Sequence, residues 1–533
     1  MSFDPRLGLP PSPQGPSLRS GRRFALNRRR VLLGAASGLI AGPALITSAA
    51  HAFKADPFQL GVASGCPRPD SVVLWTRLAP DPLNGGDVGP DPVPVDWEIA
   101  EDDGFRSITA RGRHTATAEW AHSVHVQVQG LTPGRWYWYR FRAGDAVSPV
   151  GRTRTAPPVD APLDRFRFAF ASCQQYEQGY FTAYRHMAVR ELDLVIHLGD
   201  YIYELSWGRQ HVRQHTGAIP TTVEEFRDRY ALYKSDPDLR AAHAAFPWLA
   251  IWDDHEVADD YANDRSPRNR DRKFFLSVRR AAYQAWFEHM PVPPSMAPAG
   301  DGLRIYDRYR FGNMLDLMLL DDRQYRSPPP CGDDNRITKR PVDCAERTHP
   351  DRTMLGQAQE AWLDDSLAAA KARWTVIAQQ TLMAEINRGS DGKPGFMVDR
   401  WDGYPAARQR LLDGLVRHRT ANPVVIGGDL HSFWTTNLTP NGTADGPVVA
   451  TEFVGSSITS DGPRQELVER ALANFPHLKY GRGDKRGYVA MELTTKALSA
   501  HFEAVDDVRD PKSGVRRLKD FVVESGKPGA VAG

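Results

Sequence analysis

Four short polar segments carry the side chains of this sequence that could do chemistry, and each one follows a short apolar run. The segments are Ala171–Gln174, Gly199–Tyr203, Trp252–Glu256 and Gly427–His431. Together they offer a thiol, a phenol, several carboxylates and two imidazoles, all of which bind metal ions. Like charges packed together repel unless a cation offsets them, so the four segments predict a metal centre.

The first two segments suggest which metal is bound. The thiol of Cys173 follows an apolar run, the carboxylate of Asp200 follows another, and the phenol of Tyr203 lies three residues beyond Asp200. A phenolate and a shared carboxylate suit a hard, highly charged ion such as ferric iron. The alternatives are that Cys173 only packs in the core and that the Gly-Asp pair is an ordinary turn.

The other two segments supply the remaining ionisable groups. Four of these groups are consecutive in the chain: Asp253, Asp254, His255 and Glu256. Asp429 and His431 alternate after a Gly-Gly pair, so they point the same way if the chain is extended there. We expect Asp200 and Asp429 to be shared between metals. A centre of two or three metals about 3.5–4 Å apart could clamp a phosphate and generate hydroxide near neutral pH.

Strands and helices must bring these segments together. From Phe166 onward, short apolar runs alternate with helical stretches, which indicates an α/β domain over residues 163–533. The expected strands are Phe166–Ala171, Leu192–Leu198, Trp248–Trp252, Leu315–Leu320, Trp374–Ala378 and Pro423–Ile426, and Gly487–Val505 is expected to form a late hairpin. The expected helices are Phe181–Arg190, Val278–Glu288 and Gln357–Arg373. Loops that follow such strands leave the sheet together, so their polar residues should meet.

Residues 57–156 have the pattern of a separate all-β domain. Alternating apolar residues mark Ser71–Arg77, Val95–Ile99, Ser123–Val128 and Trp136–Phe141, with turn signals between them. Short strands at this spacing predict a sandwich of immunoglobulin or fibronectin type III architecture, and Leu131–Tyr139 resembles the tyrosine corner of such domains. We expect this domain to pack on the catalytic part; a separate carbohydrate- or polymer-binding module is the alternative.

The bulk charge hides an N-terminal export signal. The net charge is +2, but residues 1–52 contribute +6, so the remainder gives no reason to expect a nucleic-acid coat. Asn27–Leu33 and the small residues before Ala52 predict a signal for the twin-arginine translocation machinery, cleaved near Ala52. A Sec signal or an uncleaved anchor is the alternative. The mature protein would be periplasmic or extracellular, and no later stretch reaches the roughly 18 apolar residues of a membrane span.

The other cysteines serve a structural purpose in this interpretation. Cys331 and Cys344 lie thirteen positions apart in a Pro/Gly/Asp-rich stretch. In an oxidising compartment they are expected to form a disulfide worth about 3 kcal/mol, with two free thiols as the alternative. Cys66 has no evident partner and is expected to be structural.

Together these segments resemble the PhoD-like alkaline phosphatases, which are related to the purple acid phosphatases. The resemblance rests on short motifs in the right order: Gly61–Gly65, Val73–Arg77, Ala171–Gln174, Gly199–Tyr203, Trp252–Glu256, Leu320–Tyr325, Gly427–His431 and Gly455–Ile458. It implies a metallophosphoesterase-type sandwich of two β-sheets flanked by helices, an α/β (α+β) fold, behind the all-β domain. It also implies a secreted metal-dependent phosphohydrolase acting on phosphomonoesters and phosphodiesters.

The resemblance further implies ligands and catalytic groups. Cys173 and Tyr203 would bind ferric iron, and Asp200 would bridge it to one or two calcium ions. The remaining implied metal ligands are Asp254, Asp260, Asp429 and His431, and the implied catalytic residues are His255, Asp253 and Arg323. His255 would lie near the leaving group or the phosphoryl oxygens, whereas Arg323 would either contact phosphate or brace the site. The family often has an Asn pair where this chain has Asp259 and Asp260, so this site would carry more negative charge.

The mechanism implied is in-line attack on phosphorus by a metal-bound hydroxide, without a phosphoenzyme. A phospholipase D-type or nucleotide phosphodiesterase on the same scaffold is the alternative enzyme. A more remote alternative is a secreted binding protein with an inactive catalytic domain, but that hypothesis predicts damaged ligand positions. The sequence contains no Gly-rich P-loop, no G-x-S-x-G elbow and no paired C-x-x-C zinc motif that would favour another chemistry.

Overall fold

The computed structural model describes residues 53–332, 336–440 and 446–533. Its strands up to the first metal segment are β1 Val62–Arg68, β2 Ser71–Arg77, β3 Val93–Ala100, β4 Ile108–Ala116, β5 Ser123–Val128, β6 Trp136–Ala143, β7 Ala146–Val147, β8 Gly151–Arg154 and β9 Arg165–Ala171. The later strands are β10 Leu194–His197, β11 Pro247–Ala250, β12 Asp307–Phe311, β13 Leu315–Leu319, β14 Trp374–Ala378, β15 Pro423–Gly427, β16 Phe433–Leu438, β17 Ala450–Val454, β18 Leu478–Arg482, β19 Arg486–Thr494, β20 Ala497–Val505, β21 Val515–Glu524 and β22 Lys527–Ala532. The helices are α1 Thr182–Ala188, α2 Val223–Lys234, α3 Pro237–Ala245, α4 Arg272–His289, α5 Gly356–Ala368, α6 Pro405–Arg417 and α7 Gln465–Asn474. The expected export signal in residues 1–52 lies outside the described residues.

Two large mixed sheets carry the metal segments. The first has ten strands in the order β22-β21-β20-β19-β9-β10-β11-β1-β2-β5, with β9, β10, β11 and β1 parallel to one another. The second has seven strands in the order β12-β13-β14-β15-β17-β16-β18, with β13, β14, β15 and β17 parallel. Buried side chains from both sheets, including Phe170, Leu317 and Val376, belong to one hydrophobic cluster. The fold is therefore of the α+β class, with mixed sheets and few helices.

The N-terminal region shares the ten-stranded sheet. β1, β2 and β5 belong to that sheet, whereas β3, β4, β6, β7 and β8 form a separate five-stranded sheet. The two sheets enclose a core to which Leu74 and Val124 contribute from one side and Val95 from the other. The Tyr137 hydroxyl accepts a hydrogen bond of 2.9 Å from the backbone N–H of Thr132, as in a tyrosine corner.

The sequence pattern located the central strands better than the helices. The six expected strands correspond to β9, β10, β11, β13, β14 and β15, and the late hairpin corresponds to β19 and β20. Three expected helices correspond to α1, α4 and α5, whereas α2, α3, α6 and α7 were not expected. Local signals for two of these were present: α2 begins at a capping box of Thr222 and Glu225, and α3 follows Asp236 with Pro237 at its first position.

The cysteine prediction is confirmed where it named a pair. Cys331 and Cys344 form a disulfide, and Cys66 and Cys173 are buried free thiols. Within the described part of the chain, no helix combines the length and apolar character that crossing a bilayer requires.

Candidate metal centre

The thiol, the phenol and one imidazole converge on one carboxylate. Single ligand atoms of Cys173, Asp200 and His431 all lie within 4.8 Å of one another. The Tyr203 hydroxyl lies 2.8 Å from Asp200 Oδ2 and 3.1 Å from His431 Nε2. Three strand ends, those of β9, β10 and β15, therefore deliver four different ligand types to one point.

Two further sets of candidate ligands lie next to this one. Asp200 also belongs to a group with Asp254 and His255, and Asp254 belongs to a third group with Asp259 and Asp260. Because Asp200 and Asp254 are each shared by two groups, the three groups form a chain. Shared carboxylates of this kind suit neighbouring metal ions.

The backbone at these positions is unusual. Cys173, Asp200, Asp429 and His431 all have positive φ, between 52° and 61°. Strained conformations of this kind cluster at functional sites, where the surrounding structure enforces them. Asp429 and His431 are therefore not in the extended conformation in which alternating residues share a face, yet both line the same cavity. Position 199 needs a glycine, because the Cβ of any other residue there would lie 2.4 Å from the Cβ of Asp253.

Burial raises the pKa values of three candidate ligands and so disfavours their anionic forms. Burial, and then the charge of Asp200, raise the pKa values of Cys173 and Tyr203 well above their usual ranges. Burial also raises the pKa of Asp200 far above that of a free aspartate. The thiolate and phenolate forms that bind metals therefore need a nearby cation.

Unsatisfied oxygen atoms indicate where a cation would bind. Asp200 Oδ1 and Asp254 Oδ1 are buried and accept no hydrogen bond from the described residues. A buried carboxylate oxygen without a partner is costly, and a metal ion would satisfy both atoms. The donor set and these two oxygens together fit a metal centre at this position.

Arg323 and Asp253 lie beneath the centre and are each 1% exposed. The Arg323 guanidinium is paired with Asp253 through Nε, and its Nη1 lies 2.8 Å from Asp399 Oδ2. Its Nη2 lies 3.7 Å from Asp254 Oδ1. Burial alone would raise the pKa of Asp254, but Arg323 and then His255 outweigh burial and lower it, so this carboxylate is ionised.

His255 faces the cavity and is oriented from behind. Its Nδ1 lies 2.7 Å from Glu204 Oε2, and its side chain is 12% exposed. Burial opposes the charged ring, but Glu204, Asp254 and Asp200 together outweigh burial and raise the His255 pKa well above its usual range. The imidazole is therefore positioned as a proton donor toward the cavity.

Asp429 and Asp260 lie at the sides of the site. Asp429 Oδ2 accepts a hydrogen bond of 2.7 Å from Thr381 Oγ1 and lies 3.3 Å from Arg400 Nε. Asp429 belongs to none of the three groups described above, although it lines the cavity. Asp260 Oδ2 lies 2.6 Å from the ammonium of Lys339.

The centre opens into a cavity of about 790 Å³. Among the candidate ligands, the residues that line it include Asp200, Asp254, Asp260, Asp429 and His431, and the rest of its wall is partly basic and partly apolar. The basic residues of the wall are Arg268, Lys339, Arg388, Arg400 and Arg470, and its apolar residues include Leu430, Trp434, Leu467 and Phe475. Burial and then the positive charge of Arg400 lower the pKa of Arg388 to about 10. Such a cavity suits an anion with an organic substituent.

Sequence reasoning missed several supporting residues. Glu204 directly follows Tyr203, so its position in a ligand segment was an available signal. Lys339 lies between the two disulfide cysteines, which was also visible. Asp399 and Ser460, whose hydroxyl donates a 2.9 Å hydrogen bond to the Tyr203 hydroxyl, come from loops without a local signal.

Comparisons with known proteins find family models and relatives that match most of this chain. Residues 168–502 match the family model described as PhoD-like phosphatase, and residues 44–157 match the model of the PhoD-like phosphatase N-terminal domain. The chain is 42% identical to alkaline phosphatase D of Bacillus subtilis (strain 168), over 94% of this chain and 88% of that protein. A solved structure of PhoD superimposes with a TM-score of 0.87 and 42% identity, covering 90% of this chain and 93% of that one.

Proposed function

The chain belongs to the PhoD-like phosphatase family and is a phosphohydrolase, and we propose that it cleaves phosphomonoesters and phosphodiesters with iron and calcium bound at the centre described above. The observation that carries this proposal is the convergence of Cys173, Asp200, Tyr203 and His431, together with the unsatisfied buried oxygens of Asp200 and Asp254. A binding protein with an inactive catalytic domain would have no reason to retain this set.

We assign the ligands by their chemistry. Cys173, Tyr203, Asp200 and His431 would hold ferric iron, because thiolate, phenolate and imidazole donors favour it over calcium. Asp254 and Asp429, with Asp260 at the side, offer the oxygen donors that calcium prefers. When bound, these ions would polarise the phosphate oxygens as Lewis acids and lower the pKa of a water molecule.

The chain's own residues supply the remaining catalytic requirements. His255 would give a proton to the departing oxygen, and Glu204 would hold the ring in the required orientation. Arg388 and Arg400 would contact phosphate oxygens that face the cavity wall. We assign Asp253 and Arg323 as positioning residues, because both are buried beneath the site and neither lines the cavity.

The cavity favours a phosphodiester over a simple monoester. An apolar wall continues from the metal centre, and Leu467 on that wall is 45% exposed. A monoester has one organic group, whereas a diester has a second one that this wall could cover. The phosphodiesterase alternatives on the same scaffold, including the phospholipase D type, would use the same wall.

The domain organisation and the export route belong to the same proposal. We propose that residues 57–156 form an immunoglobulin- or fibronectin-like domain attached to a metallophosphoesterase-type sandwich, and that the protein is exported to the periplasm or beyond by the twin-arginine route. The parallel pairing of β1 with β11 supports a firm attachment of the two parts.

The decisive experiment combines elemental analysis with two assays. The purified protein should contain iron and calcium, and it should hydrolyse both 4-nitrophenyl phosphate and bis(4-nitrophenyl) phosphate. Chelation should abolish both activities, and adding the two metals back should restore them. An active protein free of both metals would refute the metal assignment but not the family membership.

A further inference from the structure

The segment closed by the disulfide reaches into the active-site cavity. Within the segment from Cys331 to Cys344, Thr338 and Lys339 line the cavity. Ile337 and Thr338 are buried, which anchors the backbone immediately before Lys339. The disulfide therefore belongs to a segment that borders the site.

Lys339 is bonded to the acidic residues at one side of the centre. Its ammonium lies 2.9 Å from Asp259 Oδ1 and 2.6 Å from Asp260 Oδ2. The same two residues complete the third group of candidate ligands with Asp254. Asp254 Oδ2 in turn accepts a 2.6 Å hydrogen bond from the backbone N–H of Asp260.

Two other basic side chains lie near Asp259. Arg268 lies 2.9 Å from Asp259 Oδ2, the oxygen that Lys339 does not contact, and His255 Nε2 lies 3.8 Å from Asp259 Oδ1. The Lys339 ammonium occupies the space between Asp259 Oδ1 and Asp260 Oδ2. A metal ion that used those two oxygens would have to displace it, since both cations need the same atoms.

We propose that Lys339 is an internal cation that competes with calcium for Asp259 and Asp260, and that the Cys331–Cys344 disulfide makes this competition effective by holding Lys339 at the cavity. The proposal rests on the proposed function in that it takes calcium as the competing ion. It makes the acidic side of the site sensitive to the redox state of the compartment.

The disulfide acts through the position of the segment. The backbone of Val342 pairs with that of Phe396, and the N–H of Cys331 donates to Glu346 Oε2 at 3.0 Å. Without the covalent link, only non-covalent contacts such as these restrain the residues around Lys339. Opening the ring increases the conformational freedom of the segment, which lowers the effective concentration of the ammonium at the two carboxylates.

Equilibrium dialysis of the oxidised holoenzyme against calcium buffers tests the competition. The K339M variant should bind calcium about tenfold more tightly at one site, because a positive charge within a few ångströms of that site is lost. K339R should remain close to the wild type. K527M is the matched control, because Lys527 is exposed and pairs with Glu524 only three residues away, and it should change nothing.

The role of the disulfide is tested by combining changes. A C331S/C344S double variant avoids treating the iron with a thiol reductant, and it should shift calcium affinity in the same direction as K339M. Adding the two serines to K339M should cause no further shift. The proposal is overturned if K339M binds calcium like the wild type, or if the serines shift affinity equally with and without Lys339.

A failure of the proposed function would be recognised separately. If no variant binds calcium, the calcium assignment fails, and Lys339 is then judged by thermal unfolding in chelator. If Lys339 offsets the charges of Asp259 and Asp260, K339M should have a lower melting temperature than K527M under those conditions. Equal melting temperatures would remove the role of Lys339 as well.

Discussion

Replacing His255 by Asn should slow the hydrolysis of esters with poor leaving groups far more than that of 4-nitrophenyl esters. His255 faces the cavity with Glu204 bonded to Nδ1, so its Nε2 is the atom that can give a proton to the leaving oxygen. A 4-nitrophenolate departs readily without that proton, whereas an alkoxide does not. Asn retains a polar side chain of similar size but cannot donate a proton of suitable acidity.

The size of the effect follows from general acid catalysis. A positioned acid contributes about 10²- to 10⁴-fold, which corresponds to roughly 3–5 kcal/mol of barrier. We therefore expect H255N to lower kcat by about that factor for an alkyl phosphate. For 4-nitrophenyl phosphate, the loss should be about tenfold or less.

The pH dependence of activity in an E204Q variant tests the same assignment of His255 as the proton donor. Its hydrogen bond to His255 joins two charged groups and is worth roughly 1.5–3 kcal/mol, or about one to two pKa units. Despite burial, Glu204, Asp254 and Asp200 raise the His255 pKa, so the protonated ring persists to higher pH than in a free histidine. E204Q should lower this pKa, and activity on the alkyl substrate should then be lost at a pH about one to two units lower.

The assay is a set of kcat and kcat/KM profiles against pH for the two substrates and three enzymes. Iron content, measured on the same samples, shows whether a variant has lost metal. The reasoning is refuted if H255N slows both substrates equally at unchanged iron content, or if the alkaline limb of E204Q coincides with that of the wild type.

Three other substitutions test the centre, its support and its wall. Y203F should remove the phenolate-to-iron absorption that we expect to give the protein its colour. Y201F, which changes a buried tyrosine outside the centre, should keep that absorption. A coloured Y203F would contradict the ligand assignment. R323M should lower the free energy of unfolding, measured in urea, by about 3–5 kcal/mol, because it leaves buried carboxylates unpaired. R113M, which removes an exposed ion pair, should lower it by less than about 1 kcal/mol. Equal losses for the two variants would exclude a bracing role for Arg323. L467N should lower the preference for phenyl 4-nitrophenyl phosphate over methyl 4-nitrophenyl phosphate about fivefold. This factor corresponds to the loss of roughly 40 Å² of apolar contact at about 25 cal/mol/Å². An unchanged preference would show that the apolar wall does not contact the substrate.

The sequence allowed the proximity of the candidate ligands to be predicted where they directly follow apolar strands. Cys173, Asp200 and His431 were found because each follows a run that became β9, β10 or β15, and parallel strands end at a common edge. Tyr203, three residues after Asp200, was expected to reach the same point, and its hydroxyl lies 2.8 Å from Asp200 Oδ2. Local spacing was sufficient in these cases because the ligands lie within a few residues of a strand.

Residues that act from remote loops could not be predicted in this way. Asp399 reaches Arg323 from a loop between β14 and α6, and nothing in its own neighbourhood marks it as part of the site. The sharing of one sheet by residues 57–156 and the catalytic strands was also hidden. The parallel pairing of β1 with β11 joins residues about 180 positions apart in the chain, such as Gly65 and Trp248, so only the folded topology reveals it.

The arrangement of charges links stability to metal binding. Asp200 and Asp254 are buried, each has an oxygen without a hydrogen-bond donor among the described residues, and each is shared between two ligand groups. Arg323 offsets part of this negative charge, since its Nη2 lies 3.7 Å from Asp254 Oδ1. Cations bound along that chain would supply the missing charge, so binding free energy would add to folding free energy. We therefore expect the protein to be most stable with metal bound, a state that the proposed export of a folded chain would preserve.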